Sequence, residues 1–165
     1  MKKILLALLL LAPLTMSAQK FGCVEYEAIA SALPEFAKAN GELQALAKQY
    51  ENELKAMQDE LNRKFEEYKK TSSTMNETKR QEVEQQLQEM NEKIQESYTQ
   101  NQQTIQQKQQ ELLAPIQTKV AQAIENVGKN GQYVLIVPKG SLPYISATLC
   151  EDVTEACKTE VLKIK

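Results

Sequence analysis

The stretch Leu43–Lys70 reads LQALAKQYENELKAMQDELNRKFEEYKK, and its apolar residues keep an eleven-residue step. Leu43, Leu54 and Phe65 follow it, as do Leu46, Met57 and Tyr68, and Tyr50 with Leu61. Further along, Val83, Ile94, Ile105, Ile116 and Val127 repeat the same step. Eleven residues over three turns is about 3.67 per turn, so the stripe stays on one helical face with slight right-handed supercoiling. Long helices with one narrow apolar stripe cannot enclose a globular core alone. The pattern predicts a projecting antiparallel hairpin over residues 42–112, with its tip near residues 71–78. At the tip stands Thr71-Ser72-Ser73-Thr74, whose hydroxyls compete for backbone hydrogen bonds and favour helix ends. Thr74 with Glu77, or Thr78 with Gln81, offers a capping box for the second helix.

Outward from the hairpin, both chain ends carry short extended segments. Phe21–Tyr26 reads as a strand and Glu27–Leu33 as a helical turn, and Pro34 suits the first position of the next helix. Gly128 and Gly131 are expected to stop the second arm helix near Val127. Tyr133–Val137 is continuously apolar and reads as a strand buried on both faces. After a turn at Pro138–Ser141, Tyr144–Leu149 reads as a third strand, and Asp152 with Glu155 opens a closing helix to about Lys163. The expected fold is α+β: residues 19–41 and 113–165 form a small β-sheet body, and the helical hairpin is its arm. Three short strands make a thin core, so strands from both chain ends are expected to join in an oligomer. Val24, Tyr26, Leu135, Val137 and Ile145 are the candidates for that contact.

Residues 1–18 read as a secretory signal peptide: Lys2 and Lys3, an apolar run Ile4–Leu14, then Thr15-Met16-Ser17-Ala18. Its removal leaves 18 basic against 22 acidic residues, a net charge of −4, and a soluble chain expected in an exported compartment of a bacterium. An oxidising compartment makes the three cysteines matter. Cys150 and Cys157 flank the start of the closing helix, which places that bridge ahead of the two pairings with Cys23; the odd cysteine stays unpaired or pairs between chains, and three unpaired thiols are the alternative.

Much catalytic chemistry is missing. The chain has no histidine, which removes Ser-His and Cys-His nucleophiles and His-ligated zinc. It has no phosphate-cradling glycine loop, so no ATP is expected. The carboxylates alternate with lysines as solvated helix faces do. No catalytic, cofactor or metal site is expected, and the acidic balance disfavours nucleic acid.

The arm offers a different kind of site. A two-helix hairpin half-covers its own stripe, so Met57, Leu61, Phe65, Tyr68, Leu87, Met90 and Tyr98 are candidates for adaptable client contacts. The rhythm lapses at Asn101 and Gln109, which predicts a loose arm base. Gly41 and Pro115 weaken the two helices near one height and are hinge candidates. From Arg63 to Arg80 six basic residues face three acidic ones, a local excess that could touch anionic lipid.

The order of these parts resembles the Skp/OmpH family of periplasmic chaperones over essentially the whole mature chain. The residues that carry it are Phe21-Gly22-Cys23-Val24, Leu33-Pro34-Glu35, the polar hairpin, Leu112-Leu113-Ala114-Pro115-Ile116-Gln117, Tyr133–Val137 and Asp152-Val153-Thr154. The resemblance implies a homotrimer with three arms around a cavity. It also implies ATP-independent holding of unfolded outer-membrane β-barrel proteins. Well-known members are strongly basic whereas this chain is acidic, so general electrostatic attraction to clients is not carried over. A structural coiled-coil envelope protein with one fixed partner is the alternative reading.

Overall fold

The computed structural model describes residues 19–164; the signal-peptide reading of residues 1–18 lies outside them. The order is β1 (Lys20–Val24), α1 (Tyr26–Ala30), α2 (Pro34–Thr71), α3 (Glu77–Gly131), β2 (Tyr133–Pro138), β3 (Cys150–Asp152) and α4 (Thr154–Val161). Pro34 opens α2 as expected, and a short 3-10 turn at Ser72–Thr74 ends it. At 38 and 55 residues, α2 and α3 run about 57 Å and 80 Å.

The cap of α3 is neither of the two expected boxes. Asn76 sits at the N-cap, and its Oδ1 accepts from the Lys79 amide at 2.8 Å. The far end also differs: α3 continues past Val127 and Gly128 to Gly131, and Gln132 takes the left-handed cap conformation at φ 56°. Glycine was the expected residue there, because a side chain at positive φ is strained.

The hairpin is antiparallel. Tyr68 donates to the Glu84 carboxylate near the tip, while Lys119 Nζ reaches Glu35 Oε1 at 2.9 Å near the base. Interpolating between these pairs puts Gly41 level with about residue 112. Both helices run unbroken through Gly41 and Pro115.

The sheet order is β2-β1-β3, with both neighbours parallel to β1. Gly22 pairs with Ile136, and Phe21 and Cys23 pair with Leu135 and Val137, so alternate residues face opposite ways. The inner face packs on helices. There Val24 joins Ile29, Leu33, Ala39, Ile116, Val120, Ala123, Val153, Cys157 and Val161 in one core. This corrects the reading of Val24 as an oligomer contact: at 1% exposure it is already spent on its own chain.

Two further strand expectations are corrected. Tyr144–Leu149 forms no strand, because Ser146 turns the chain. Its carbonyl accepts from the Cys150 amide at 3.0 Å and its hydroxyl from the Leu149 amide at 3.3 Å, taking donors a ladder would use. Pairing starts only at Cys150. Nor is β2 buried on both faces. It is an edge strand, with Val134 and Leu135 60% and 51% exposed.

One aromatic residue ties the three strands together. Tyr133 on β2 donates its hydroxyl to Glu151 Oε2 on β3 at 2.5 Å, and Gly22 of β1 lies between them. A Cβ on Gly22 would stand 3.3 Å from the Tyr133 ring. The bond to Glu151 is the main cause pushing the phenol up to about 12, so it remains a neutral donor.

Candidate functional site

Along α2 the half-buried positions include Leu43, Leu46, Tyr50, Leu54, Met57, Leu61 and Tyr68, the stripe read from the sequence without Phe65, together with the polar Glu60 and Lys64. Across from them lie Val83, Leu87, Met90 and Ile94, of which Ile94 is buried. The seam is narrow, so it closes incompletely. A cleft of ≈ 410 Å³ opens midway along the hairpin, lined by Ala56, Met57, Glu60, Met90, Lys93 and Ile94. A second, of ≈ 400 Å³, lies towards the tip, where Tyr68, Met75, Val83 and Leu87 supply its apolar wall.

The structure sorts the seven arm candidates. Met57 and Met90 share the middle cleft, and Tyr68 and Leu87 share the distal one. Leu61 is half-buried in the seam. Phe65 and Tyr98 stand outside it, 47% and 53% exposed. Sequence reading did not select Ala56, Met75 or Val83 as contacts, although Val83 belongs to the eleven-residue step and Met75 lies in the predicted tip. Below Ile94 the half-buried positions become Ser97, Asn101, Thr104, Ile105 and Lys108, so Ile105 alone interrupts the polar lapse expected at the arm base.

Charge at the tip is largely neutralised locally. Arg63 bonds Glu60 and Glu67, Lys69 bonds Glu66, Lys79 bonds Glu82, and Arg80 bonds Glu77. Among the described residues Lys64 and Lys70 have no such partner. Exposed pairs of this kind contribute little to stability, but they shrink the basic surface from six cations to two.

The outer face of the sheet is a second apolar surface. Phe21, Leu135 and Val137 meet Leu142, Tyr144, Ile145 and Leu149 of the segment that crosses back from β2 to β3. That crossing is required because β2 and β3 flank β1 in the same direction. Tyr144 and Leu149 are 79% and 76% exposed, and sequence reading took them for strand residues. Of the oligomer candidates, Leu135, Val137 and Ile145 lie here, while Tyr26 opens α1 at the body surface.

All three cysteines are free thiols. The expected pair is not brought together: Cys157 lies in the core beneath the inner face, whereas Cys150 pairs with Phe21 on the outer one. Cys150 is instead the diagonal neighbour of Cys23 across β1 and β3. Burial pushes the Cys23 and Cys157 thiols up, away from thiolate. Among the described residues no acidic or thiol cluster suits a metal, and no helix is long and apolar enough to cross a membrane.

A small sheet body carries a long helical hairpin with apolar clefts along it. The chain belongs to the OmpH-like outer membrane protein family, whose model matches residues 20–161. Its fold is similar to that of an OmpH-like outer membrane chaperone from Caulobacter crescentus CB15, with a TM-score of 0.72 at 13% identity. That alignment covers 89% of this chain and 86% of the other. A search of curated proteins finds no match.

Proposed function

We propose that this chain is a periplasmic, ATP-independent holdase that binds unfolded outer-membrane β-barrel proteins between helical arms. The observation that carries the reading is the incompletely closed seam, where Met57, Met90 and Ile94 line an open cleft on a protruding hairpin. An unfolded barrel strand alternates apolar and polar residues, so it offers many weak apolar contacts. Methionine suits these because its flexible, polarizable chain adapts to varied partners. Release then needs no nucleotide, only a client that folds elsewhere.

The working form in this proposal is a homotrimer. Two open sheet edges and the exposed Leu135, Tyr144 and Leu149 support association through the body. Residues 42–112 act as the arm, and Gly41 and Pro115 as its hinge, since they lie within about three residues of one level. Lys64 and Lys70 are the cations left for anionic lipid at the tip.

The test is dilution of a urea-unfolded outer-membrane barrel protein into buffer with the chaperone, followed by light scattering. Suppression near one trimer per client is expected. Replacing Met57 and Met90 by serine should raise the chaperone needed for half-suppression about fivefold, with sedimentation confirming an unchanged oligomer. No suppression by the wild type, with tight binding to one folded envelope partner, would establish the scaffold reading instead.

A further inference from the structure

Three cysteines leave one unmatched, and the sheet decides which. Phe21 pairs with Cys150 and Cys23 with Asp152 across β1 and β3, so Cys23 and Cys150 are diagonal neighbours on the outer face. Diagonal Cα atoms in a regular sheet lie about 7–8 Å apart, just beyond the usual disulfide span of about 4.4–6.8 Å. The Cys150 thiol is close enough to add to burial in pushing the Cys23 thiol up. β3 is a three-residue edge strand with no neighbour on its far side, so it can close the remaining ångström or so. Cys157 has no comparable route: it is fully buried in the core behind the inner face.

We infer that Cys23 and Cys150 form a disulfide that clips β3 to β1, and that Cys157 stays a protected thiol. The oxidant is a small-molecule disulfide such as oxidised glutathione. Cys150, the more exposed of the two, loses its proton and attacks one glutathione sulfur, expelling a glutathione thiolate. Cys23 then loses its proton and attacks the Cys150 sulfur of the mixed disulfide, expelling the second. Two thiols become one disulfide, and one oxidised glutathione becomes two reduced. The clip fixes the far end of the apolar segment that carries Tyr144 and Leu149, and so holds that surface over the sheet.

The experiment uses the mature chain treated with oxidised glutathione, then unfolded and alkylated without reductant. Alkylatable thiols should fall from three to one, and the digest should contain a peptide joining Cys23 to Cys150, about 2 Da lighter than its halves. Cys157→Ser should give the same joined peptide and no free thiol. Three alkylatable thiols after oxidation, or a joined peptide that contains Cys157, would overturn the assignment.

Discussion

Two glycines, one inside α2 and one at the last position of α3, should respond to alanine with opposite sign. At Gly41 an added Cβ meets nothing within 4 Å. Alanine there removes only the entropic cost of glycine in a helix, a gain of about 0.5–1 kcal/mol. At Gly131 an added Cβ would stand 2.4 Å and 2.7 Å from Tyr133 ring carbons. Ordinary carbon contacts are about 3.5–4.0 Å, so the ring must move by about an ångström. It is not free to do so, with Gly22 close by and its hydroxyl on Glu151. Crowding costs about 1–3 kcal/mol and the loosened hydrogen bond about 1, less the helix gain. The net loss at Gly131→Ala is then about 1–3 kcal/mol. Urea unfolding followed by far-ultraviolet circular dichroism, at one fixed protein concentration, measures both variants. Adding Tyr133→Ala to the Gly131 variant should abolish the extra loss on going from glycine to alanine. If both single variants shift the midpoint in the same direction, the close approach of Tyr133 to the end of α3 is wrong.

Two further outcomes follow from the geometry. Ile94→Ala removes the buried side chain of the arm seam and should cost about 2–4 kcal/mol locally. Amide exchange around residues 54–61 and 87–97 should accelerate at least tenfold while Ile116–Ile124 stay protected; equal acceleration in both regions would refute a seam separable from the core. Lys139 foremost, then Thr154, holds Asp152 down to about 2. Its carboxylate therefore stabilises the fold above about pH 4 and loses that effect as pH falls towards 2. Because the side chain is half exposed, solvent screening leaves about 1 kcal/mol. Asp152→Asn should lower stability at pH 6 and lose most of that deficit by pH 2; a difference that persists unchanged at pH 2 would refute the assignment.

The arm was readable because its determinants are local. A stripe repeating every eleven residues fixes helix, face and partner at once, and the seam at Met57, Leu87, Met90 and Ile94 follows from it. The body was less readable because short strands are decided by what they pair with. Tyr144–Leu149 has apolar residues enough for a strand, yet a turn at Ser146 claims its amides before β1 can. Val24 looked like any outward strand residue until sheet register turned it inward.

Residue order alone determined the helical hairpin, the α+β class and the narrowness of the apolar stripe, since helical periodicity acts between near neighbours. Tertiary structure alone decided which sheet face each strand residue serves and which cysteine lies beside Cys150. Those depend on register between segments more than a hundred residues apart, and no local preference encodes a register.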